Sequence, residues 1–162
     1  MLTLRCTHAL LDRMKLSGDD AAGRSTTALG DWYGHMVRLG RRRAILLVSE
    51  RSRLPVLLPP GEAGRLTIAL PAEVSVILSL VGADPCAIER EVAQMREVHI
   101  GRTASRSVLG SINEFAYLVR VSHELSGNQT LRDLALDLCG TPVLPLGGLS
   151  PALLTRQYLA GA

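Results

Sequence analysis

Residues 32–59 read WYGHMVRLGRRRAILLVSERSRLPVLLP, and this stretch decides the fold class. "WYGHMVRL" can place alternate side chains on opposite faces of a strand, while "AILLVS" is a continuous apolar run bounded by charge, as a central strand is. Gly40 and Arg41 stand between them as a hairpin turn. "LPVLLP" follows as a third strand whose prolines suit an edge or strand ends. The economical arrangement is an antiparallel three-strand meander.

Working outward, "LTLRC" is a short extended piece, and Thr7 stands where a helix carrying Leu10, Leu11 and Met14 begins. Residues 16–30 are polar, Gly-rich and without period, which predicts a flexible surface loop. "LTIALPAEVSVILSLVGA" reads as a buried strand followed by a helix covered on nearly all sides. Asp84-Pro85 is an N-cap with proline at the first helical position, and Ile88, Val92 and Met95 form the stripe of the helix it opens. "EVHIGR" reads as a short strand. From Ser107 to about Leu125, Val108, Ile112, Phe115 and Val119 recur at helical spacing, and Asn113, Tyr117, Arg120 and Glu124 mark another face. Thr130 with Asp133 forms a capping pair, Gly140 and Pro142 end that helix, and Ser150-Pro151 starts the last one. Strands come first and helices later. This order predicts one α+β domain over residues 1–162, a small antiparallel sheet of about three to five strands packed in a single pair of layers by about five helices. Trp32, the only tryptophan, is expected to anchor the core near the sheet edge.

The 162 residues are 47% hydrophobic but only 3% aromatic, so the core must be aliphatic, and 20% charge excludes a disordered chain. The net charge of +3 is carried by arginine, with Lys15 the only lysine. A GC-rich coding bias explains the choice of arginine better than function does, so position matters more than number. Cys6, Cys86 and Cys139 are widely spaced with no CxxC pair, and with no secretory leader they predict a reducing, cytoplasmic setting. Pro71 and Glu73 interrupt the most apolar stretch, so no membrane anchor is expected.

Two places gather anion-binding chemistry. Arg38, Arg41, Arg42, Arg43, Arg51 and Arg53 fall within one window against Glu50 alone; they are either solvated turn residues or a phosphate-contacting surface, and adjacent turns of a meander lie at opposite ends of the sheet. The second place is "GRTASRSVLGSINEF", residues 101–115. Arg102, Thr103, Ser105, Arg106 and Ser107 crowd a helix start, where free N–H groups attract anions. The bland alternative is an N-cap with arginines paired to Glu91 or Glu97. There is no P-loop and no GxSxG. The four histidines lack metal-ligand spacing, so no metal and no cofactor is expected. A metal-free phosphodiester-cleaving site can be assembled from His99, Arg106 and Tyr117, or with His35, although no spacing demands it. Gly110, inside a helical pattern, can admit a neighbouring backbone or ligand.

"RCTHALLDRM", "LGDWYGHMVRLGRRRAILLVSE" and "GRTASRSVLGSINEFA" together resemble a bacterial domain family of unknown function, with an RCT-x-x-LL start, LG-x-W, a basic strand pair and an RSVLGSMN-like helix start. Ile112 stands where methionine is expected and Glu114 where aspartate is. The resemblance implies a small bacterial α+β domain and assigns no activity. Cys6, Trp32, Arg106, Ser107, Gly110 and Asn113 match the shared motifs.

Three functions remain open. A non-catalytic binding module for an anionic partner, nucleic acid or a phosphorylated ligand, ranks first. Next comes a protein-interaction or accessory subunit of a mobile-element or toxin–antitoxin-type system, suggested by the apolar "VLPLGGLSPALL". A metal-independent enzyme cleaving RNA or a phosphoester ranks last. Oligomeric state is not legible.

Overall fold

The computed structural model describes residues 1–20 and 23–162. Among the described residues, the chain forms a five-stranded sheet in the order β4-β3-β2-β1-β5 with six α-helices and two 3-10 turns. The strands are β1 (Leu2–Cys6), β2 (Trp32–Leu39), β3 (Arg42–Ser49), β4 (Pro55–Leu58) and β5 (Val98–Arg102). The helices are α1 (His8–Met14), α2 (Leu66–Leu80), α3 (Pro85–Gln94), α4 (Arg106–Ser126), α5 (Leu131–Cys139) and α6 (Pro151–Ala160). The α+β class and the β2–β3–β4 antiparallel meander are as read from sequence. The sheet as a whole is mixed, which corrects the wholly antiparallel expectation. β1 lies parallel to both β2 and β5, with Leu4 opposite Trp32 on one side and Ile100 on the other. β2 is therefore the middle strand, so Trp32, fully buried, anchors the centre of the sheet and not its edge.

Alternation along β2 assigns the two faces. Gly34 faces α1: a Cβ there would lie 2.6 Å from Leu10 Cδ2 and 3.4 Å from Leu47 Cδ2, so any larger residue would require the buried Leu10 side chain to shift. Tyr33, on the other face, meets the backbone of Ser105 at the start of α4. α4 lies along β2 and buries Val108, Ile112, Phe115 and Val119, each worth roughly 1.5–3 kcal/mol. α5 packs beside it on β4. The caps expected at Asp84, Thr130 and Ser150 are present as side chain-to-backbone hydrogen bonds, with the reciprocal Thr130–Asp133 pair complete, Ser105 caps α4 in the same way, and Thr7 stands at the N-cap of α1 without a side-chain capping bond.

The sequence reading is corrected in two further places. "LTIAL" is helix, because α2 runs from Leu66 through Pro71. With the preceding 3-10 turn it makes a segment, Pro60–Leu80, long and apolar enough by length and composition to cross a membrane. Only a third of that segment is buried, so it is not enclosed on all sides. The bidentate pair from Arg132 to Glu73 (2.7 and 2.8 Å) ties α2 to α5. The second correction is to the loop near 16–30, which is fastened along most of its described length. Asp19 bridges to Gly101 and covers the β5 edge, Ser25 Oγ accepts from Thr3 N (2.7 Å), and the buried Glu91 carboxylate accepts from Ala28 N (2.7 Å) and Leu29 N (3.1 Å). Ala21 and Ala22, which fall inside the same expected loop, lie outside the described residues.

Candidate functional site

β2 and β3 are joined by a two-residue turn. Leu39 pairs with Arg42, and Gly40 takes φ +60°, which the first central position of a type II′ turn requires. The tip carries Arg41, Arg42 and Arg43, all exposed, and Arg38 is exposed one step down β2. The register puts Arg38 directly opposite Arg43. Like charges facing each other across a strand pair are destabilising. Nothing in the fold offsets this pair: among the described residues, none of these four arginines has a carboxylate within 4.0 Å. A shallow hollow of about 260 Å³, lined by Ala9, Met36, Val37, Arg38 and Arg43, lies beside the pair.

The start of α4 is built differently. Ser105 caps the helix by accepting from Val108 N (3.3 Å), and Ser107 Oγ accepts from Arg53 Nη2 (3.0 Å). Arg53 Nε donates to the buried Ser111 Oγ (3.1 Å). Arg53 is only 6% exposed, has no carboxylate within 4.0 Å among the described residues, and sits at φ +58°. Burial pushes its guanidinium below the usual arginine range, with Glu50 opposing. It therefore ties the β3–β4 turn to α4. The sequence reading missed this and grouped Arg53 with the exposed arginines; the hydroxyls of Ser107 and Ser111, one helical turn apart, were the available signal. Close by, Arg5 Nε pairs with Asp31 at 2.6 Å inside the protein. Arg102 reaches Asp20 at 3.4 Å, and Arg106 is exposed with no ion pair among the described residues.

Among the described residues, Arg53 is the one member of its window bonded to the α4 start, and the hairpin arginines Arg38, Arg41, Arg42 and Arg43 lie apart from it. Gly40 lies against His123 in the last turn of α4, with Nε2 3.7 Å from where a Cβ would sit. The hairpin is thus about 25 Å along the helix from Arg106. Nor do the candidate catalytic residues converge. Tyr117, 60% exposed, stands about 16 Å along α4 from Arg106. His99 is exposed on β5 and bonded to Glu97 (3.0 Å). His35 is half-buried, bonded through Nδ1 to Thr7 Oγ1 (3.1 Å) and pushed below the usual histidine range by burial. Burial pushes the Cys6 thiol up to about 12, which removes it as a nucleophile. Among the described residues, no three or more His, Cys, Asp or Glu side chains come close enough together to hold a metal ion.

A cavity of about 520 Å³ opens at the carboxyl ends of the parallel strands β1 and β5, bordered by Cys6, His8, Asp12, Asp20, Arg102 and Thr103. α1 leaves β1 for one face of the sheet and α4 leaves β5 for the other, so the cavity occupies a topological switch point. Gly110 is exposed, with nothing within 4 Å of an added Cβ. The "VLPLGGLS" segment is a tight loop closed by the Val143–Leu149 bridge, with Leu144 84% exposed.

Comparison with curated proteins and with solved structures returns no match to the chain. A family model does match, over residues 3–152, nearly the whole length and including the basic hairpin and the RSVLGSIN helix start. The chain belongs to the family described as a domain of unknown function, DUF6933.

Proposed function

We propose that this domain is a non-catalytic binding module whose β2–β3 hairpin takes the phosphate backbone of a nucleic acid. The observation that carries this reading is the Arg38–Arg43 pair, two like charges held opposite each other with no counter-ion among the described residues and with Arg41 and Arg42 beside them. An anion between them turns a repulsion into a shared contact, and guanidinium forks suit phosphate oxygens. A two-stranded ribbon is also a shape that a nucleic-acid groove admits. The three free, widely spaced cysteines accord with a reducing, cytoplasmic setting. The test is fluorescence anisotropy with short labelled RNA and DNA at low and moderate salt. Arg42→Ala/Arg43→Ala should weaken binding and flatten its salt dependence; unchanged affinity would remove the hairpin from the account.

A second reading, a phosphorylated small ligand held by Arg102 and Thr103, is favoured by the cavity at the β1–β5 switch point. Thermal stabilisation by such a compound, lost in Arg102→Ala and retained in Arg42→Ala/Arg43→Ala, would support it over the hairpin.

A further inference from the structure

α2 carries an apolar surface that the chain does not use for its own core. Ile68 is 64% exposed and Leu80 56%, although both belong to one of the most apolar stretches of the sequence. Between α2 and α3 runs an open groove of about 670 Å³ with Ile68, Pro71 and Ser75 on one wall and Ile88, Val92 and Ala93 on the other. Its rim carries Glu89 on α3 and Arg96 in the turn just past it. Both are exposed, and among the described residues neither has an ion pair or hydrogen bond.

The placing of these two charges indicates the occupant. Glu89 lies about 5 Å along α3 from the midpoint between Val92 and Ala93, and Arg96, two residues past the last helical residue Gln94, lines the same groove beyond the other end of the helix. If a second α3 lies antiparallel with its twofold axis at that midpoint, Glu89 faces the partner's Arg96 and Arg96 faces the partner's Glu89. Val92 and Ala93 then meet at the axis, where the small alanine lets the helices approach. A twofold interface must be complementary to itself in this way. The exposed Ile68 of α2 flanks the same seam. We propose that the α2–α3 groove is the contact between two copies of this chain, with the two α3 helices antiparallel.

Sedimentation velocity over a concentration series tests this. The full chain should reach twice the chain mass. Glu89→Arg and Arg96→Glu should each weaken self-association at least tenfold, because each sets like charges opposite one another at both ends of the seam. The double variant E89R/R96E should restore it, since both pairs re-form with their signs exchanged. Val92→Glu should give a monomer. All these positions are at least partly exposed, and unchanged circular dichroism verifies the fold. A wild type that stays monomeric at every concentration overturns the proposal, as does a dimer indifferent to these changes or a double variant that fails to recover. A monomer that pellets with phosphatidylcholine vesicles through α2 would assign the groove to lipid and overturn it equally.

Discussion

Arg43→Glu should make the protein more stable and a poorer binder at once. Arg38 and Arg43 face each other across β2 and β3, with Cβ atoms about 5 Å apart by the geometry of such pairs. With their charged heads about 7 Å apart in water, the repulsion is roughly 0.6 kcal/mol, and reversing one sign turns it into a similar attraction. Side-chain ordering and solvent screening reduce the sum, so the expected gain is about 0.5–1 kcal/mol at low salt. In a domain of this size that corresponds to a rise in Tm of about 1–4 °C. Arg43→Gln, which removes the repulsion without adding attraction, should give about half the gain. Urea denaturation at low and high salt measures both, and the gain should shrink as salt rises. Anisotropy with labelled oligonucleotide should show the opposite trend, with Arg43→Glu binding worst. A less stable Arg43→Glu protein, or one that keeps wild-type affinity, would refute the reasoning that this repulsion is held for an anion.

Three other outcomes are expected. Arg53 occupies the left-handed region at φ +58° while bonding Ser107 and Ser111, so Arg53→Ala should cost about 2 kcal/mol, and Arg53→Gly about 1 kcal/mol less than that, by urea denaturation. Gly110→Ala should stabilise by about 0.5–1 kcal/mol, because the position is helical, exposed and open around an added Cβ. His35 sits below the ordinary histidine range because of burial, so its contribution is full above the unfolded value of about 6.5 and is lost as pH falls from there through the folded value. The urea midpoint should therefore drop between pH 7 and 5, and by less in His35→Asn.

What the sequence disclosed was mostly local. The hairpin at Gly40 is legible because a two-residue turn separates two runs of different period, and α4 because its apolar residues from Val108 to Val119 repeat over about three turns. The caps at Asp84, Thr130 and Ser150 are short-range hydrogen bonds between residues three apart, so adjacency alone reveals them. The parallel pairing of β1 with β5 left no trace, since it joins Leu2 to Val98 and no local pattern encodes a partner that far along the chain. Arg53 misled for a related reason. Arginine at a turn is ordinarily solvated, and only tertiary contact with α4 buries it. α2 was read as enclosed because its composition is apolar all round, yet composition does not say whether the cover is the same chain. At the candidate site, the crowding of arginines and the separation of the two meander turns are visible in the sequence, and the burial of Arg53 against α4 is not.

The central claim is that the hairpin holds four arginines, without a carboxylate partner among the described residues, for phosphate, and the slope of log K against log salt for duplex DNA tests it most directly. If all four make phosphate contacts, the slope should be about −3.6, and affinity should fall about 150-fold between about 50 and 200 mM salt. With Arg42→Ala/Arg43→Ala the slope should drop to about −1.8 and the loss to about 12-fold. No binding at the lower salt, or the same slope in wild type and variant, would contradict the account.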